Sequence, residues 1–230
     1  GDEQTILFTS ARNESKALEE QNQNPYYLCD LFVAEKKDTT WSPVQNFGNP
    51  VNTPFHEGAA TLSGDKSRLY FTRWITTSDN KVCAIYVSKY INGHWLEPMK
   101  LNANVNIAAY KSMQPALSPD ESILFFSSDR PGGQGKMDIW YCTIDDIGNA
   151  GPAFNLGPTI NTPEDEVTPF YNYFTQTLYY SSDGLLGIGG LDIFKAYKSD
   201  TTWTIPKNMG RPFKQKYKRT STKLQQKSEK

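Results

Sequence analysis

Leu124-Phe-Phe-Ser-Ser-Asp-Arg-Pro-Gly-Gly-Gln-Gly-Lys-Met-Asp-Ile-Trp140 is one of four variants of a single stretch of chain. Its closing pair, Ile139-Trp140, has counterparts at Leu31-Phe32, Ile85-Tyr86 and Ile193-Phe194, each fifty-four residues from the next. Asp30, Ala84, Asp138 and Asp192 precede these pairs in the same register. Ten residues after the first member of the pair stand Trp41, Trp95 and Trp203; in the third copy Ala150 takes that place after a one-residue slip. A fixed period of this size marks an array of like supersecondary units.

The third copy shows what the unit is. Gln114-Pro-Ala-Leu-Ser-Pro-Asp-Glu-Ser122 reads as a short strand closed by a Ser-Pro-Asp turn. Ile123-Leu-Phe-Phe-Ser-Ser128 is β-rich and nearly all apolar, which predicts a strand buried on both faces. A loop with three glycines leads to a third strand, Asp138-Ile-Trp-Tyr-Cys-Thr-Ile144, and Ala150-Gly-Pro-Ala-Phe-Asn-Leu-Gly157 forms a weaker fourth element. The second strand recurs at Ile6-Leu-Phe-Thr-Ser10, Leu69-Tyr-Phe-Thr72 and Leu178-Tyr-Tyr-Ser-Ser182. No segment carries a helical period of 3.6. Four short antiparallel strands per repeat predict an all-β chain, a β-propeller with one blade of about fifty-four residues per copy. A single four-stranded sheet cannot bury both faces; stacking blades around an axis does so. The Trp of the fourth element is expected over the outer part of its blade, contributing about 2–3 kcal/mol by area burial. Ala150 should then mark a thinner blade.

Composition agrees. The 230 residues suit one large all-β domain, and thirty aromatic residues and fourteen prolines fit strands and turns. From Ile205 onward there are nine Lys or Arg and one Glu, net +8; the whole chain is −1, so residues 1–204 carry −9. We read residues 1–210 as the propeller and 211–230 as a basic tail, able to meet an acidic partner or simply to remain solvated. In period, Thr220-Ser-Thr-Lys-Leu-Gln225 matches Gly58-Ala-Ala-Thr-Leu-Ser63, so the tail can supply the first strand that the first copy lacks and close a ring of four. The competing account is a fragment of a larger ring. No run of eighteen apolar residues reads as a membrane-spanning helix. Cys29 and Cys83 occupy equivalent places in neighbouring repeats, too far apart for a bridge, and Cys142 lies further along its strand; all three read as small buried apolar residues.

The stretch from Leu117-Ser-Pro-Asp-Glu through Asp-Ile-Trp140, repeated at Ser181-Ser-Asp to Asp-Ile-Phe194, resembles the TolB-type, WD-repeat-like propeller motif. With the Asn-Leu-Gly corner at Asn155 and the Ile-Asn-Thr-Pro step at Ile160, it is similar to the propeller of OmpA-family envelope proteins, notably those of the PorE type in the type IX secretion system. The likeness extends to about Met209; copies one and two depart from it, and no OmpA-like or helical-repeat segment is present. What the resemblance implies is a periplasmic, outer-membrane-associated lipoprotein scaffold. Its partners would be other envelope or secretion proteins, with peptidoglycan reached through domains absent from this chain.

The chemistry-bearing residues support a non-enzymatic reading. Asp138 and Asp192 invite comparison with the carboxylates of propeller glycosidases. They recur in register with Asp30, however, and so read as strand-start devices that accept N–H groups of the glycine loop or pair with Arg130. Asp129 and Asp183 are read likewise. The glycine loops join strand to strand, which excludes a phosphate loop on a helix N-terminus, and they are too poor in oxygen ligands for calcium. His56 and His94 stand alone, and no zinc set or Ser-His-Asp order occurs. We expect no metal, no cofactor and no nucleic-acid partner. Positions that break the repeat are the better binding candidates. They are the insert Asn13–Leu28, with Glu14, Glu19, Glu20, Tyr26 and Tyr27, and Arg73-Trp74, where other copies have Ser and Asp. Arg130 joins them. Trp74 can equally pack beneath its own loop. The expected function is a protein-interaction scaffold; the alternative is carbohydrate binding or hydrolysis at the central mouth.

Overall fold

The computed structural model describes residues 4–11, 28–76 and 81–210. Among them there is no helix. Four antiparallel sheets follow one another along the chain as four blades. Blade 1 comprises β1 (Thr5–Ser10), β2 (Asp30–Lys37), β3 (Thr40–Trp41) and β4 (Gln45–Asn46); blade 2 comprises β5 (His56–Leu62), β6 (Arg68–Thr76), β7 (Lys81–Ile91), β8 (His94–Trp95) and β9 (Met99–Lys100). Blade 3 is β10 (Ser112–Leu117), β11 (Ile123–Ser128), β12 (Asp138–Ile144) and β13 (Ala150–Asn155). Blade 4 is β14 (Glu166–Asn172), β15 (Thr177–Ser182), β16 (Asp192–Ser199), β17 (Thr202–Trp203) and β18 (Lys207–Asn208).

The period of the sequence is the register of the sheets. Phe8 faces Phe32, Phe71 faces Tyr86, Phe126 faces Trp140 and Tyr180 faces Phe194 across the same pair of strands in the four blades. Because side chains alternate between the faces of a strand, each central strand contributes to two interfaces. Tyr70, Ile85 and Val87 of blade 2 pack against Leu124, Phe126, Trp140 and Cys142 of blade 3. From the opposite face of blade 3, Ala116, Phe125 and Ile139 pack against Tyr171, Leu178, Tyr180 and Phe194. The near-continuous apolar run of β11 is thus buried on both sides. The innermost strands β5, β10 and β14, together with β1, surround the axis. The proposed closing strand, Thr220 to Gln225, lies outside the described residues.

The outer strands correct one expectation. In blades 1, 2 and 4 the outer edge is broken into two pairs of residues, because Pro43, Pro98 and Pro206 cannot donate to the ladder. Blade 3, with a fourth element expected to be weak and locally thin, has the one unbroken outer strand, with Pro152 accommodated at a shift in register. Ala150 is buried against blade 2, and its carbonyl accepts from Asn102 Nδ2 at 2.8 Å and Asn104 Nδ2 at 2.9 Å. The tryptophans sit at the same edge: Trp95 packs on Phe47 of blade 1 and Trp203 edge-on to Tyr171, while Trp41 is 44 % exposed.

Candidate functional site

Each of the three described connections between blades is pinned to the preceding blade by one buried asparagine. Asn52 Oδ1 accepts from Leu31 N and its Nδ2 donates to Leu31 O, both at 2.9 Å. Asn106 holds Ile85 in the same way at 2.9 and 2.9 Å, and Asn161 holds Ile139 at 2.8 and 3.0 Å. A carboxamide offers a donor and an acceptor side by side, so it serves the third strand as a neighbouring backbone would.

The recurring aspartates serve the same face of the ring. Asp30 accepts from Asn46 at 3.0 Å, Asp138 from Asn155 at 2.8 Å and Asp192 from Asn208 at 3.4 Å. Asp138 also accepts from the backbone N–H groups of Gln134 and, at 3.1 Å, Gly135; Asp192 accepts from Ile188 N at 2.6 Å. Burial raises the Asp30 carboxyl above the ordinary aspartate range. Asp129 and Asp183 accept from the backbone of Lys111 at 2.6 Å and Asp165 at 3.0 Å, two positions one period apart. The glycines make room for these contacts: a Cβ on Gly135 would strike the Thr162 carbonyl oxygen and Pro163.

Of the two arrangements expected for Asp138, bonds from the glycine loop or a pair with Arg130, the structure has the first, and Arg130 lies elsewhere. It fills a buried position beside the corner that the blades satisfy in three ways. At the first corner Glu57 takes the position and Arg73 Nε donates to it at 2.7 Å. At the second, Ser112 replaces the glutamate, and Arg130 donates to Ser128 Oγ at 3.0 Å, to Asn104 O at 2.7 Å and to Val105 O. At the third, Glu166 accepts from Thr162 N at 2.6 Å, Thr162 Oγ1 at 2.7 Å and Ser182 Oγ at 2.6 Å. Burial pulls Arg130 down to about 10, so it stays charged at neutral pH, with its guanidinium over Phe126 and Trp140. Arg73 is 6 % and Arg130 5 % exposed, so neither guanidinium offers a surface to a partner. Trp74 is half-buried with its ring against Gly58 of its own blade. Tyr26 and Tyr27 lie outside the described residues. Cys83 and Cys142 are buried with their thiols pushed up to about 12 by desolvation, and no disulfide joins the described cysteines. No group of His, Cys, Asp or Glu among the described residues is placed to hold a metal ion.

The concavity lies at the other end of the ring, on the axis. A cavity of about 620 Å³ is lined by Leu7, by Ala59 to Leu62, by Gln114 to Leu117 and by Thr168 to Phe174. Its walls are mostly apolar. At its rim blade 4 departs from the other blades. Phe170 occupies the place of Thr61 and Ala116, opposite Tyr179, Tyr70 and Phe125 respectively, and is 57 % exposed. Phe174 replaces Asp65 and Asp120, which cap their turns by accepting from Ser63 Oγ at 2.6 Å and Ser118 Oγ at 2.5 Å. The Ser63 bond, with two more from the Ser67 backbone and hydroxyl, holds the Asp65 carboxyl down at about 2. In blade 4 Asn172 Oδ1 caps the turn instead, accepting from Thr175 N at 3.1 Å. The aspartate position is thereby free for Phe174, which is 90 % exposed and meets the Tyr173 ring edge-on.

No family model and no curated protein matches the sequence. Among solved structures, TolB from Acinetobacter baumannii is similar at a TM-score of 0.50 and 12 % identity over 77 % of this chain and 37 % of TolB. The fold is that of a β-propeller, similar to the propeller of TolB. The α-L-arabinofuranosidase from Lactobacillus brevis is also similar, at a TM-score of 0.51 and 14 % identity, over 95 % of this chain and 75 % of that enzyme. Identities this low establish the fold alone. This chain spans little more than a third of the TolB chain it matches.

The aromatic rim of this propeller is not among the binding candidates read from the sequence. The signal was present, since Phe170 and Phe174 break columns otherwise filled by small residues and turn aspartates. Arg73 and Arg130 break the repeat just as visibly but are buried.

Proposed function

We propose that the chain is a non-enzymatic interaction module that binds a partner polypeptide at its axial mouth. The carrying observation is the non-repeating, exposed set Phe170, Tyr173 and Phe174 over a largely apolar cavity. Exposed aromatic residues around a concavity are the usual anchors of protein recognition. The described lining contains no carboxylate, histidine or cysteine, whereas glycoside hydrolysis calls on a pair of carboxylates about 5–10 Å apart. The TolB-like fold and the envelope-protein motif support a periplasmic site of action. The finer assignment is an outer-membrane-associated assembly of the type IX secretion kind, in a lipoprotein whose other domains reach peptidoglycan.

A second reading is favoured by the same rim, because an exposed phenyl face also stacks on a sugar. In that case the mouth binds a glycan without cleaving it. The two readings separate on one experiment. A photo-crosslinking amino acid placed at Phe174 in cells should capture a discrete envelope protein, and Phe170→Asp should remove that adduct. Capture unaffected by Phe170→Asp would overturn the polypeptide reading, and competition by cell-wall oligosaccharide in place of a protein adduct would establish the second.

A further inference from the structure

The three innermost strands each contain a residue in the left-handed region at the same point: Ala59 at φ 48°, Gln114 at φ 57° and Thr168 at φ 54°. Each lies within a shift of register, between Gly58 and Thr61, Met113 and Ala116, and Val167 and Phe170. The twist turns one backbone N–H toward the preceding blade. Ala59 N donates to Thr9 Oγ1 at 3.0 Å and Gln114 N to Thr72 Oγ1 at 2.8 Å. Thr9 and Thr72 are equivalent, for they face Leu31 and Ile85 across their sheets. In blade 3 that residue is Ser127, facing Ile139.

The third junction breaks the rule. Thr168 N donates to Gln114 Oε1 at 3.0 Å, and Ser127 Oγ is fully buried with no partner among the described residues. A buried hydroxyl without a partner costs about 1–3 kcal/mol. Here it is an acceptor at the position from which the other two junctions are served. Gln114 lines the axial cavity, and the N–H groups of its carboxamide have no partner among the described residues. Several other polar side chains of the lining are committed: Ser63 to Asp65, Ser118 to Asp120 and Thr168 Oγ1 to Ser181.

We propose that Gln114 is a releasable latch and that the cavity takes an extended, largely apolar polypeptide segment whose backbone carbonyl receives the Gln114 amide. On binding, the Thr168 N–H passes from Gln114 Oε1 to Ser127 Oγ. This deepens the reading of the mouth as a polypeptide site and rests on it. The walls favour such an occupant, since they are themselves extended strands packed on one another, β10 against β5 and β14. They offer an amide donor and no carboxylate, which suits carbonyl groups better than the hydroxyls of a sugar.

The test uses a fluorescein-labelled peptide with the sequence of residues 112–118, followed by anisotropy. Gln114→Asn keeps a residue tolerant of the left-handed region but shortens the reach, and should weaken binding about tenfold, the worth of one hydrogen bond. Ser127→Ala should weaken it by a similar factor, because release of Gln114 then strands Thr168 N–H, yet it should not lower thermal stability, since it removes a buried hydroxyl that has no partner among the described residues. Ser127 does not line the cavity, so a merely structural role would not affect affinity. Hydrogen exchange gives a second readout: the Thr168 amide should stay protected in either single variant and lose protection in the double. Affinity within about twofold of wild type in Ser127→Ala, or no binding of the peptide to the unaltered chain, overturns the proposal. If the Phe174 crosslink still captures its envelope protein in that event, the proposed function stands and only the latch falls.

Discussion

The two ends of this ring obey different rules. At the corner end Asn52, Asn106 and Asn161 make the same pair of bonds to the third strand, and the aspartates at Asp30, Asp138 and Asp192 repeat their contacts from blade to blade. At the axial mouth Thr61, Ala116 and Phe170 share a position and little else, and Phe174 stands where Asp65 and Asp120 cap their turns in the two preceding blades. Repetition marks what every blade needs in order to stack on the next. A position that no junction uses can vary, and there one blade has acquired exposed aromatics.

The comparison predicts large stability effects at the corners and small ones at the mouth. Asn161→Ala removes two buried bonds to Ile139 and one to Asn155, and leaves the backbone groups of Ile139 without partners. A loss of about 3 kcal/mol in urea denaturation is expected. Gly135→Ala forces the glycine loop off the corner at Thr162 and should cost about 1–3 kcal/mol by the same measurement. A variant as stable as wild type at either site would mean that the repeat does not report structural need.

The third junction sharpens the comparison through pH. Glu166 is fully buried, and desolvation raises its carboxyl above the ordinary glutamate value of 4.5, with the nearby Asp138 charge adding to the rise. The folded state therefore holds this proton more firmly than the unfolded chain does. Its contribution is most favourable below 4.5 and is lost as the pH climbs from there through the raised folded value. Glu166→Gln should abolish that decline, so the variant gains stability relative to wild type as pH increases across this window; parallel curves would show that the carboxyl is not perturbed. The smallest effect is expected at the rim. Phe170→Asp and Phe174→Asp should change stability by less than about 0.5 kcal/mol, since exposed side chains contribute little to folding. Marked unfolding would place these rings in the core instead of at a binding surface.

The blade count, the strand pairing and the two-sided burial of β11 were all legible, because a sheet repeat locks sequence period to ladder register. The direction in which a departure points was not legible. Arg73 and Arg130 leave the repeat at different offsets, and no spacing rule reveals that both guanidinium groups enter equivalent buried places beside a corner. Ala150 misled for a related reason: the loss of a large ring suggested a thin blade, whereas the continuity of an outer strand depends on where proline falls. Asn161 carries one of the most heavily bonded side chains of its junction, yet in the sequence it is only one residue of an Asn-Thr-Pro step.

The amino-acid order alone determined a four-fold array of sheet-forming units, since alternation, turns and period are local properties that each copy states again. Tertiary packing decided which breaks in that pattern became interior ballast and which became surface. Burial is settled by the neighbouring blade, and that neighbour lies about fifty residues away along the chain.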